Sequence, residues 1–302
     1  MNYSAASLRA QLELGMLSEL FTRSPYSLTW VCDVLIDRVV TWVSRQVERV
    51  GVPLKIVEYG VGVMYSYALI ECEGEEYLGV ALTPLEDLAG VRAAPVRRVS
   101  GVADALTLVS SLNPLEKSVG VAAVNAVSSY LLWGAGQHRG LQIEVGVDIL
   151  SAVPRVASGK VLVVGHMGPL VRVLKERGAE EVYVVERCAA MRCRGALSDS
   201  ALPRLASRAD ALVVTGATLV NDTLDYILSL RKAGSTLILV GPTAGAHPTP
   251  LFNEGVDAVA SMRAVKVGAV LDVIKRGGGR WDFTKFCEQY VVKAPSTPSA
   301  SS

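Results

Sequence analysis

A chain of 302 residues exceeds what one compact core usually holds, and a composition of 50% hydrophobic and 20% charged residues excludes an extensively disordered protein. Thirty basic residues against 29 acidic ones leave a formal net charge of +1, which removes the electrostatic case for a nucleic-acid partner. Five cysteines without framework spacing point to a reducing compartment. The first residues lack a basic segment followed by an apolar one, so a cytoplasmic protein without a signal peptide is expected.

In chain order, residues 4–22 and 31–50 carry apolar positions at helical spacing, the second through Val34, Leu35, Val39, Trp42, Val43 and Val47. Two strands are expected next, over residues 55–72 and 77–82, around the charged turn Glu73-Gly74-Glu75-Glu76. The first has room for a bend at Gly60-Val61-Gly62. Asn113-Pro114 then supplies an N-cap followed by proline at the first helical position. Residues 118–137 carry no charge and are long enough to span a bilayer, but Asn125, Ser128, Ser129 and three glycines interrupt them. A helix apolar on every side is also what a buried central helix looks like, and no membrane partner is expected.

Pro154 and Ser158-Gly159 mark a junction, after which short apolar strands alternate with helices. Strands are expected at residues 161–164, 182–185, 211–214 and 237–240, with a weaker fifth at 258–260. Helices are expected near 169–176, before Asp210, and at 220–232, 249–253 and 264–275. Such alternation implies crossover connections and a parallel sheet. The expected organisation is therefore an α+β domain over residues 1–152, a Rossmann-like α/β domain over 153–293 and a flexible tail over 294–302.

In an open parallel sheet, ligands bind beyond the carboxyl ends of the strands. Those positions read Gly165-His166-Met167-Gly168, Glu186-Arg187-Cys188, Thr215-Gly216-Ala217-Thr218 and Gly241-Pro242-Thr243. One such loop would be ordinary turn chemistry; four in register suggest a site. The first is only part of a dinucleotide fingerprint, because Met167 stands where the second glycine belongs. Glu186 falls where an acidic residue would meet a ribose, so an enzyme using S-adenosylmethionine or NAD stays open as the alternative. In the run from Thr215 to Thr223, Thr218 or Asn221 is placed to cap a helix whose free N–H groups suit a carboxylate or phosphate. His166, Glu186 and Cys188 offer a mixed N, O and S set for a divalent transition metal, with Cys193 and His247 as further donors. The plain alternatives are a hydrogen-bonded loop histidine and buried free thiols. No nucleophile elbow, phosphate-loop lysine motif or HExxH is present, so no reaction and no catalytic residue is assigned.

At these residues the chain resembles the family described as putative heavy-metal chelation. The resemblance rests on Gly165 to Pro169, Glu186-Arg187, Thr215 to Leu224 and Gly241-Pro242-Thr243. In the first half it rests on Asn113-Pro114 and on Gly120 to Ala126. It implies an enolase N-terminal-like domain ahead of the Rossmann-like one, with the site in the cleft between them. The implied function is binding of a heavy metal, a metal complex or a small anionic ligand, in metal or cofactor metabolism, and the protein can be a homo-oligomer. The candidate ligand-binding residues are Gly165, His166, Gly168, Glu186, Arg187, Thr215, Gly216, Thr218, Asn221, Thr223, Gly241 and Thr243, with Asn113 and Asn125 reaching in from the first domain. Met167 departs from the phenylalanine that often follows the histidine in the family, which puts a stacking role there in doubt.

Overall fold

Successive side chains of each short apolar strand enter two different cores, as the two-residue period of a strand buried on both faces requires. Val161 and Val163 point to one, Leu162 and Val164 to the other; Ala211 and Val213 oppose Leu212 and Val214 in the same way. The computed structural model describes residues 33–88, 94–138, 140–192 and 195–295. It shows a mixed α/β molecule with a seven-stranded, mostly parallel sheet and a separate three-stranded antiparallel sheet. From Val34 onward the described residues form one compact unit.

The chain enters through helix α1 (Leu35–Val50), which buries Leu35, Ile36, Val39 and Val43. The small sheet follows as β1 (Lys55–Val61), β2 (Tyr65–Cys72) and β3 (Glu75–Leu82), all antiparallel. Helix α2 (Pro114–Ser129) lies on one face of it, with every residue from Ser118 to Ser128 buried. Contact there is too close for side chains. A Cβ on Gly79 of β3 would stand 2.0 Å from the Ala122 carbonyl oxygen, and one on Gly120 of α2 would stand 2.4 Å from the Val109 nitrogen.

The large sheet holds β4 (Gln142–Val145), β5 (Lys160–Val164), β6 (Glu181–Val185), β7 (Ala211–Thr215), β8 (Thr236–Val240), β9 (Ala258–Ala264) and β10 (Cys287–Lys293), in the order β4-β10-β9-β8-β7-β5-β6. The five strands from β9 to β6 are parallel, whereas β10 runs antiparallel to both β9 and β4. Between strands lie helices α3 (Gly168–Glu176), α4 (Thr223–Leu230), α5 (Pro248–Asn253), α6 (Val267–Lys275) and the short α7 (Arg280–Phe283). One core runs without interruption from Val39, Ile70 and Val121 to Leu162, Leu212 and Ile227. A further cluster sets Tyr65, Tyr67 and Leu78 of the small sheet against Val270, Ile274 and Phe283.

The helix expected over 31–50 is observed as Leu35–Val50, while the one expected over 4–22 lies outside the described residues, as do Cys32, Cys193 and the tail from residue 296. Asn113 caps α2 as expected, its Oδ1 accepting from the Leu115 N–H at 3.0 Å. The long strand expected over 55–72 is two strands, because Gly62 turns the chain: a Cβ there would meet the Tyr65 and Ile274 carbonyl oxygens at 2.7 and 2.8 Å. The weak strand at 258–260 extends to Ala264, and the edge strand β4 and its neighbour β10 have no counterpart in the expected set. Among the described residues no helix is long and apolar enough to cross a membrane. The polar groups of α2 are held inside the protein instead: Ser118 Oγ donates to the Leu82 carbonyl at 2.8 Å, and Asn125 Nδ2 donates to the Val80 carbonyl at 2.8 Å.

Candidate functional site

Strand β5 pairs in parallel with β6 on one side and β7 on the other. The chain thus leaves β5 in one direction and later returns to its opposite flank. Loops that diverge at such a point open a crevice at the carboxyl edge of the sheet. A cavity of about 1000 Å³ lies there, at the upper end of the range for small-molecule sites. His166, Glu186, Thr215 and Gly241, each from the loop after a different parallel strand, all line it.

The turn after β5 depends on Gly165, whose φ of +100° favours glycine and whose added Cβ would stand 2.8 Å from Thr215 Cγ2. The next loop is tied to it by Glu186. Its Oε2 accepts the His166 backbone N–H at 2.8 Å and its Oε1 accepts the Cys188 backbone N–H at 2.8 Å. Arg192 braces the same loop, donating from Nε to the Glu186 carbonyl and from Nη2 to the Arg187 carbonyl. The His166 side chain is left exposed, with Nε2 3.6 Å from where a Cβ on Gly168 would be. Arg187 also lines the cavity, and its guanidinium is paired with Asp87 from the segment after β3.

After β7 the polar residues mostly serve one another. Thr215 Oγ1 accepts from the Ala217 N–H at 3.4 Å, and buried Thr218 donates to the Thr215 carbonyl at 2.7 Å. Asn221 Oδ1 accepts from the N–H and the hydroxyl of Thr223 at 3.3 and 2.6 Å. Between them Asp222 has a φ of +55° and makes no side-chain capping bond. Its carboxyl is raised from its ordinary range, because burial outweighs the Lys117 ammonium paired with it. Thr218, Asn221 and Thr223 nevertheless present surface to the cavity.

Four of the candidate residues stand elsewhere. A Cβ on Gly216 would stand 2.3 Å from the Ala244 nitrogen, so this glycine permits two loops to pack. Thr243 Oγ1 accepts the Leu82 N–H at 3.0 Å, and Asn125 Nδ2 donates to the Thr243 carbonyl at 3.0 Å. These two residues fasten the small sheet to the loop after β8. Asn113 serves the start of α2 and donates to the Ala94 carbonyl. Conversely, the cavity is lined by residues with no motif to mark them: Met64, Tyr65 and Leu82 from the small sheet, and Arg280, Trp281 and Tyr290 from the last segment. Only the glycine run 277–279 ahead of Arg280 hinted at a special turn.

His166, Glu186 and Cys188 do not fit a closed cage for a bare metal ion. Both Glu186 oxygens are engaged by backbone N–H groups. Among the described residues no group of three or more His, Cys, Asp and Glu side chains is placed to hold an ion.

Fold and cavity together define an α/β protein with a ligand-sized crevice at the carboxyl edge of a mostly parallel sheet. The chain belongs to the family described as putative heavy-metal chelation: two models of that description match residues 46–128 and 148–293. An uncharacterised protein of Methanocaldococcus jannaschii is 31% identical over 241 residues, which cover 79% of this chain and 90% of that one. The crystal structure of a family protein of unknown function from Pyrococcus horikoshii is similar, with a TM-score of 0.75 and 28% identity, over 86% of this chain and all of that one. One from Desulfitobacterium hafniense shares the fold, with a TM-score of 0.64 and 19% identity over 86% of this chain and 98% of that one.

Proposed function

We propose that this protein binds a metal complex or a small organic anion, rather than a bare ion, in the cavity at the carboxyl edge of the large sheet. The observation that carries the reading is the combination of a cavity of about 1000 Å³ with donors too few and too committed to enclose an ion. A metal arriving with its own ligands needs only one protein donor, and exposed His166 at the cavity wall is placed to be it. The family's description supports metal as part of the cargo.

The finer architecture belongs to the same proposal. The order β6-β5-β7-β8-β9, second strand beside first and third beside first, supports a doubly wound sheet that is Rossmann-like in the broad sense, with the strand order of the flavodoxin-like variant. The division of the family matches at residues 128 and 148 supports a separate domain ahead of it, which we read as enolase N-terminal-like. On that division Met64, Tyr65 and Leu82 reach the cavity from the first domain, which makes it an interdomain cleft. The cysteine usage supports a cytoplasmic setting.

Native mass spectrometry of the purified protein, paired with metal analysis, tests the reading directly. The expected result is an organic compound, with or without a transition metal, that departs on denaturation. In a thermal-shift series, a nickel chelate raises the Tm more than free nickel, and His166→Ala removes the difference. An unoccupied protein whose Tm responds to neither chelates nor organic anions overturns the proposal, and a response to adenosine cofactors alone transfers the site to nucleotide chemistry.

A further inference from the structure

Resting on that reading, we infer that Arg280 and Trp281 form the part of the cavity that selects its ligand, and that the ligand class is a planar aromatic carboxylate or its metal complex. Among the described residues, Arg187 and Arg280 bring guanidinium groups to the cavity, and they differ in their commitments. Arg187 is paired with Asp87. Arg280 has no carboxylate partner among the described residues, and its buried Nε has no hydrogen-bond acceptor. The carboxylate beside it in sequence, Asp282, is turned to accept the Gly279 N–H at 2.8 Å. A buried guanidinium N–H without an acceptor is costly, and a fork of parallel N–H donors matches a carboxylate in geometry and charge. The ligand is the missing acceptor.

Trp281 adds the second half of the preference. It is 71% exposed although it lines the cavity, and its ring centroid lies 5.1 Å from the Arg280 guanidinium carbon. An exposed indole held against a guanidinium that has no carboxylate partner offers its remaining face to a flat partner. Tyr65 supplies the wall behind them. Burial pushes its phenol up to about 12 against the influence of Arg280, so it stays a neutral hydroxyl at physiological pH. Nearby Met64 and Met262 make that end of the cavity apolar around the charge. The segment carrying Arg280 joins β9 to β10, and β9 lies three positions from β5 in the sheet.

Calorimetric titration tests this with pyridine-2,6-dicarboxylate, its nickel complex and citrate as probes. Wild type is expected to bind the aromatic dicarboxylate in free or nickel form. Arg280→Ala should weaken that binding about tenfold or more, and Arg280→Lys, which keeps the charge but not the fork, should fail to restore it. Trp281→Ala should weaken the aromatic probes several-fold and leave citrate unchanged. Trp281 is exposed and Arg280 half-buried on a short helix, so Tm values near that of wild type confirm that the variants fold. Equal binding by wild type and Arg280→Ala overturns the inference, as does wild type that binds neither aromatic form. His166→Ala keeps the two proposals distinguishable. Loss of the preference for the nickel form in His166→Ala, with Arg280→Ala still at wild-type affinity, sustains the metal-complex reading and removes this one. The reverse pattern removes the metal donor and sustains the carboxylate site.

Discussion

The small sheet with α2 and the carboxyl edge of the large sheet use glycine and polar residues for opposite ends. In the first, Gly79 lets β3 touch the backbone of α2 and Gly120 lets α2 touch that of residues 108–109, and Ser118 and Asn125 satisfy carbonyl groups inside a buried core. At the carboxyl edge, Gly165 and Gly241 take left-handed φ values of +100° and +105° so that loops can turn away from each other and leave space. The same residue types therefore close one region and open the other. Their meaning is set by what lies across from them, which in the first region is a helix and in the second is the cavity.

The largest expected effect breaks the closed region. Gly79→Ala forces a Cβ to within 2.0 Å of the Ala122 carbonyl oxygen, and loss of about 3 kcal/mol or more is expected, with a lower denaturation midpoint or loss of soluble protein. An equally large change at Gly268, whose Cβ would meet nothing and whose φ is not left-handed, would contradict the packing argument.

Next comes His247, in the loop after β8, 1% exposed and stacked on Trp42 with ring centroids 4.2 Å apart. Burial holds its imidazole down to about 4 from an ordinary value of 6.5. Between those values the unfolded chain binds the extra proton, so this contribution is full above pH 6.5 and is lost as pH falls toward 4. The loss amounts to about 3 kcal/mol. Urea midpoints of wild type and His247→Phe, compared at pH 7 and pH 4.5, should shift in favour of the variant at the lower pH; a constant difference would refute the burial argument.

A smaller effect is expected at the open edge. Glu186→Ala strips the acceptor from the His166 and Cys188 N–H groups and should cost about 1–2 kcal/mol, with faster amide exchange confined to those two loops. Unchanged exchange there would show that the carboxylate does not hold the loops together. The smallest effect concerns the link between the regions. Arg187 and Asp87 are both partly exposed, so a double-mutant cycle should return about 0.5 kcal/mol or less, shrinking with salt.

Much of the fold was legible from residues 114–129 and from the strands after Lys160. An asparagine N-cap with proline at the first helical position ahead of an apolar run favours a helix start from local causes alone, and short Val/Leu/Ile runs between helices have few other structures available. The edge strand β4 and its neighbour β10 were not legible, because a partly exposed strand such as Gln142–Val145 carries no continuous apolar run. The site was read through its turns. His166, Glu186 and Thr215 do come together, but Thr243 and Asn125, equally polar and equally near strand or helix signals, fasten the two sheets instead. Apart from the glycine run 277–279 ahead of them, nothing local to Arg280 or Trp281 distinguishes them from surface residues.

By itself the sequence determined the elements whose cause is local: a capped helix, hydrophobic strands of alternating orientation, and loops rich in glycine and hydroxyls at the carboxyl ends of those strands. Only the tertiary structure decided which polar groups were used up in holding loops together and which were left facing a cavity. A hydrogen bond such as Glu186 to His166, or the lack of one at Arg280, depends on atoms that the chain brings near each other only when the sheet has closed around its core.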